Sequence, residues 1–135
     1  MILRKARPDE AAVCYSFIEA ARAYHASLGF EQWHSDYPTL QTVQDDIESG
    51  CGLVFDDEGK QVGYCCIIIG DEPAYREISG EWKTERAYAV VHRLAFGRRN
   101  RGKGMSASAF ELIKSYCVDA GIMAIRADIR LCSIY

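Results

Sequence analysis

The sequence predicts a mixed α/β domain, a single sheet covered by helices, and three observations carry that expectation. Short runs of β-prone residues alternate with longer stretches whose apolar residues recur at helical spacing. Glycines stand where the helical stretches stop, at Gly29, Gly50 and Gly121, as left-handed caps do. The 135 residues, 49% hydrophobic and 26% charged, suffice for one compact core, so residues 1–135 are expected to form a single domain.

Residues 2–6, ILRKA, alternate like a short strand. Pro8 and Asp9 then open a helix in which Asp9 can cap first-turn amides, and Val13, Phe17, Ala20, Ala21, Tyr24 and Leu28 recur on one face. After the aromatic and polar loop FEQWHSDYP, Thr39 to Ser49 reads as a second helix with Leu40, Val43 and Ile47 inward. Residues 53–55 and 62–69 are two β-prone runs joined by a polar segment with glycine where a hairpin needs it. The second run is almost wholly apolar and is expected at the centre of the sheet. Residues 71–86 are polar and irregular, and 87–96 resume a strand. From Lys103 to Ala120 the apolar positions 105, 109, 112, 113, 116 and 117 form a helical stripe, and residues 122–129 read as a fifth strand.

Composition excludes several classes. No run of about 18 apolar residues exists to span a bilayer, and acids interrupt the first twenty residues where a signal peptide needs an apolar core. A cytoplasmic protein is expected. The six cysteines show no CxxC pairing and four lie in apolar stretches, which suits buried reduced thiols and not a disulfide frame or a metal site. The net charge of -3 makes any basic cluster a local feature, and no nucleic-acid partner is expected.

One such cluster exists. Between Arg93 and Lys103 the chain places five Lys or Arg in eleven residues, interrupted by glycines and followed by the third predicted helix. The first turn of a helix has amides with no internal partner and a partial positive charge, so a glycine-rich loop leading into it is a ready phosphate site. Gly102 and Gly104 leave room for close approach, while Arg99, Arg101 and Lys103 supply positive charge.

Arg99-Asn100-Arg101-Gly102-Lys103-Gly104 matches the signature R/Q-x-x-G-x-G/A between a fourth strand and a third helix, and with that context the chain resembles the GCN5-related N-acetyltransferases (GNAT). VHRLAF, residues 91–96, is similar to that family's fourth strand, and Gln32, Trp33, Tyr37 and Pro38 are similar to the substrate-side loop of one bacterial branch. The resemblance implies an acyl-CoA N-acyltransferase-like fold and acetyl transfer from acetyl-CoA to the amine of a small molecule or peptide. It implies that the pyrophosphate rests on Arg99, Asn100, Arg101, Gly102, Lys103, Gly104 and Met105, with the pantetheine arm along Leu94, Ala95 and Phe96. A main-chain amide of that strand would then polarise the thioester carbonyl.

The chain departs from the family in two places. The loop after Phe96 is about two residues shorter than usual and lacks a common proline. After IRAD the family adds a helix and two strands, where this sequence reads IRLCSIY. The resemblance therefore implies a fold without those elements, with an apolar edge that favours a homodimer. Coenzyme A binding would be kept and turnover would be weak, with Tyr135 the one terminal phenol able to act as acid.

His92 is the candidate general base, since an unperturbed imidazole titrates near neutrality. Alternation places it on the same face as Leu94 and Phe96, where it reads equally as a packed strand histidine. Glu81 and Glu85 could act through water or be solvated carboxylates. Trp33 and Tyr37 are candidate walls of an acceptor pocket or covers of the core edge. Arg93, between apolar neighbours, is a functional cation, or a snorkelling or salt-bridged one. Two other functions compete. GRRNRGKG, residues 97–104, differs from a nucleotide-binding phosphate loop by Gly104 at the magnesium-binding hydroxyl position, and it comes late in the chain. RRNRGK could instead serve a non-enzymatic module for coenzyme A or a polyanion, though no aromatics are interleaved to stack bases.

Overall fold

The computed structural model describes residues 1–27, 29, 37–70, 88–97, 105–122 and 124–127. In chain order these form β1 (Ile2–Lys5), a 3-10 turn (Pro8–Glu10), α1 (Ala11–Ser27), α2 (Leu40–Glu48), β2 (Gly52–Asp57), β3 (Lys60–Gly70), β4 (Tyr88–Phe96), α3 (Met105–Asp119) and β5 (Ala124–Ala127). The sheet order is β1-β2-β3-β4-β5, with β3 central as its apolar run predicts. The first four strands pair antiparallel and β5 joins β4 in parallel, so the crossover through α3 makes the fold mixed α/β.

Each face of the sheet carries its own core. Leu53, Phe55, Cys65 and Val91 pack against Ala109, Ile113 and Cys117 of α3. On the other face Phe17 and Ile18 of α1 and Val43 and Ile47 of α2 close over Val54, Tyr64 and Ala95. The β2–β3 hairpin turns through Glu58 and Gly59, both left-handed at φ 54° and 91°, which is the two-residue turn whose twist matches the strands. Among the described residues the cysteines 14, 51, 65, 66 and 117 are free thiols, and all but Cys51 are buried. No described helix is long and apolar enough to cross a membrane.

Several local expectations are corrected. α1 buries Cys14, Phe17, Ile18, Ala21 and His25, a stripe rotated from the expected one, because Val13, Ala20 and Tyr24 sit at its margin. At the 3-10 turn that precedes α1, Glu10 Oε1 accepts the Arg7 N–H at 2.8 Å, while Asp9 accepts from the Arg7 side chain and caps no amide of the turn in the bonds found. α2 is capped by Thr39 as its sequence allows, with Thr42 N–H on Thr39 Oγ1 at 3.2 Å. Leu40 is exposed there, and the inward position the apolar pattern missed is Asp46. Of the strand expected over residues 122–129, Ala124–Ala127 is found as β5, and residues 123, 128 and 129 lie outside the described residues.

Glu10 also ties three elements together. Arg4 of β1 donates to both its oxygens at 2.9 and 2.8 Å, and Gln61 of β3 donates at 2.7 Å. Arg4 turns its Nε to Asp56 of β2 at 2.9 Å, and Asp56 also accepts the Gly59 N–H at 2.7 Å. The Arg4 hydrogen bonds, helped by Gln61 and the Arg7 amide, hold the Glu10 carboxyl at about 2 against burial that would raise it.

Candidate active site

β4 pairs with β3 on one edge and with β5 on the other. The pairing with β3 runs from Tyr88↔Gly70 to Phe96↔Gly63, and the described pairing with β5 runs from Tyr88↔Ala124 to Val91↔Ala127. The ladder to β3 continues to the Gly97 N–H on the Val62 carbonyl at 3.0 Å. Antiparallel alternation then turns the N–H and C=O of Phe96 to the opposite edge, past the last described pairing with β5. α3 begins at Met105, so its first-turn amides follow this edge with only the basic glycine segment between them.

Past Val91 the strand carries a bulge against β3. Tyr64 pairs with Ala95 but Cys66 with His92, so Arg93 and Leu94 together face Cys65. Arg93 takes φ 55°, a left-handed conformation that costs a residue with a Cβ about 1–2 kcal/mol. Its guanidinium is held by Asp46 of α2, with Nε on Oδ2 at 2.9 Å and Nη2 on Oδ1 at 2.6 Å, and Nη1 donates to the Tyr37 hydroxyl at 3.1 Å. The Tyr64 hydroxyl donates to Asp46 Oδ2 at 2.7 Å. Both members of the ion pair are nearly buried, at 12% and 11% side-chain exposure, so water screens it little. Burial works against the Arg93 charge, yet the Asp46 bonds outweigh it and hold the guanidinium above its ordinary pKa. Burial, with the Asp46 charge added, raises the Tyr64 phenol well above its usual range and pushes the Cys66 thiol up to about 12.

The bulge corrects the expected placement of His92. Leu94 and Phe96 pack on the α3 side with Ala89 and Val91, whereas Ala95 packs on the side of α1 and α2. His92 pairs with Cys66, two residues from Tyr64 on the α1 and α2 side, so it stands on the opposite face from Leu94 and Phe96. Strict alternation fails because one extra residue lies between them. Of the two expectations for Arg93 as a bystander cation, the salt bridge is the one found.

The side chains of Leu94 and Ala95 are buried, and the Phe96 ring lies 5.0 Å from that of Phe55. The main chain of this stretch and the partly buried Phe96 ring are what remain to meet a ligand. Met105 is partly buried against the α3 core, and Tyr37 is 51% exposed, preceding a cis peptide bond to Pro38. Trp33, Gln32, Glu81, Glu85, Arg99, Asn100, Arg101, Gly102, Lys103, Gly104 and Tyr135 lie outside the described residues. Asp46 and Tyr64 escaped the sequence reading. An aspartate amid the apolar spacing of α2 was the one signal that could have marked the first, and nothing marked the second.

The described residues suit a long ligand bearing amides and phosphates. Phe96 offers one donor and one acceptor along an edge, as an extended amide chain requires, and the start of α3 offers amides to an anion. Residues 15–133 match the acetyltransferase (GNAT) family. An acetyltransferase of that family from Streptococcus agalactiae is 30% identical at a TM-score of 0.74, with 84% of this chain and 68% of that one covered. One from Listeria monocytogenes is 17% identical, with a TM-score of 0.76 over 95% of this chain and 76% of the other. A predicted acetyltransferase from Clostridium acetobutylicum, solved with acetyl-CoA, is 11% identical at 0.61, over 97% of this chain and 82% of its own. No curated protein matches the chain.

Proposed function

The chain belongs to the acetyltransferase (GNAT) family, and from that premise we propose how its own residues serve acetyl transfer from acetyl-CoA to an amine. The observation that carries the reading is that β4 runs on to Phe96, whose N–H and C=O turn away from β3, and that the chain then leads through the basic glycine segment into α3. Bound acetyl-CoA supplies an acyl group activated as a thioester.

The main chain of Leu94, Ala95 and Phe96 receives the pantetheine arm as an added strand, the mode by which a free sheet edge binds an amide-bearing chain. Arg99, Asn100, Arg101, Gly102, Lys103, Gly104 and Met105 hold the pyrophosphate through amides and positive charge. A main-chain amide of the β4 edge would stabilise the charge that develops on the thioester oxygen, the largest contribution expected in acyl transfer. His92, one residue before the bulge and half-buried, takes the proton from the amine. Trp33 and Tyr37 wall the acceptor side, and the Tyr37 hydroxyl on Arg93 fixes one of those walls.

β5 stands at the edge of the described sheet with Ile125 partly buried, which supports a homodimer formed across that side. The free thiols support a cytoplasmic setting.

The test is a thermal-shift and calorimetric titration of the full chain with acetyl-CoA, with ATP plus magnesium, and with a short RNA. Acetyl-CoA alone should bind and raise the melting temperature. Replacing Gly102 and Gly104 together by Val should abolish that response with the fold kept, because Cβ branching blocks approach to the amides. A double variant that binds acetyl-CoA like the parent rejects the phosphate-binding assignment.

A further inference from the structure

Arg93 occupies a backbone conformation that glycine adopts freely and arginine does not. The conformation is held from outside the sheet. The carboxylate that grips its guanidinium comes from α2 and is itself fixed by the Tyr64 hydroxyl of β3, so β3, β4 and α2 meet at one buried polar point. Asp46 grips the residue immediately before the Leu94–Phe96 stretch that would bear the acetyl donor. A bulge bends its strand and increases its twist, and this one lies between the part of β4 whose pairing with β5 is described and the Leu94–Phe96 end. Donors act on a developing charge only when their direction is fixed beforehand.

We propose that Asp46 is a positioning residue for acetyl transfer: its two-point grip on Arg93 locks the left-handed bulge of β4, and the bulge aims the Leu94–Phe96 main chain at the thioester. This rests on the reading that the Leu94–Phe96 stretch of β4 receives acetyl-CoA. The proposal separates Asp46 from a merely stabilising carboxylate, because the requirement is for a backbone conformation and not for the ion pair itself. Glycine at position 93 should therefore meet the requirement with no carboxylate present.

The experiment uses the full chain with acetyl-CoA carrying carbon-13 at the thioester carbonyl. The infrared carbonyl stretch of the bound ligand and its Kd are measured for the parent, Asp46→Asn, and Asp46→Asn/Arg93→Gly. The parent should shift the stretch below its value in free solution. Asp46→Asn should return it toward the free value while Kd stays within about threefold, since the phosphate contacts lie elsewhere. The double variant should restore the parent shift even with a lower melting temperature. If Asp46→Asn does not fold, Arg93→Lys takes its place, because lysine keeps the charge without the fork, and the same loss is expected. A parent-like stretch in the single variant, or a double variant no better than the single, overturns the positioning role while leaving the acetyl-CoA reading intact. Absence of acetyl-CoA binding to the parent overturns both.

Discussion

The Phe96 ring lies so close over Gly63 that a Cβ on Gly63 would stand 2.5 Å from Phe96 Cδ1 and 2.9 Å from the Ala95 carbonyl oxygen. A ring can rotate away, but the carbonyl belongs to β4 itself. Gly63→Ala should therefore displace the strand end that carries the proposed cofactor edge. We expect a loss of about 1–3 kcal/mol, typical of overpacking, together with weaker acetyl-CoA binding. Denaturant melts and calorimetry on the same sample check both, and unchanged binding would detach the edge from the site.

Tyr64→Phe removes one hydroxyl and leaves the Asp46–Arg93 fork in place. The lost bond goes to a charged acceptor in a buried setting, so stability should fall by about 1.5–3 kcal/mol. Urea denaturation reads this directly. A change near zero would mean that Asp46 is satisfied by Arg93 alone.

Glu10 makes stability depend on acid. Its carboxyl is held at about 2, against an ordinary 4.5, so between those values the unfolded chain binds the proton and the folded chain does not. The contribution of the Arg4–Glu10 pair is thus complete above about pH 4.5 and is lost as pH falls toward about 2, on the order of 3 kcal/mol in total. Glu10→Gln should be less stable than the parent at pH 7, and the gap should shrink through that window. A gap equal at pH 6 and pH 3 contradicts the assignment.

Arg99→Ala should weaken acetyl-CoA binding modestly and make it less sensitive to salt, because a screened side-chain charge contributes less than a row of fixed amides. Titrations at low and high ionic strength compare the two proteins. An identical salt response removes Arg99 from the phosphate site.

The order of elements was legible in the chain because apolar periodicity and glycine punctuation are local signals. The central place of β3 followed from its unbroken apolar run, the hairpin from Asp57-Glu58-Gly59-Lys60, and the N-terminus of α2 from Thr39. The glycine-rich basic segment before α3 is likewise a local motif, read within a few residues, and its role toward phosphate stays with the titrations above.

What the tertiary structure alone decided is the bulge and its clamp. Whether a strand carries an extra residue depends on the register of its neighbour, which no window of β4 contains, and that single residue moved His92 to the other face from Leu94. Asp46 and Arg93 stand 47 residues apart, and neither pattern nor composition pairs one acid among nineteen with one base among sixteen. Folding brings them together because a buried guanidinium is tolerated only where a carboxylate meets its fork, and the helix and strand that supply the two are packed by apolar residues elsewhere.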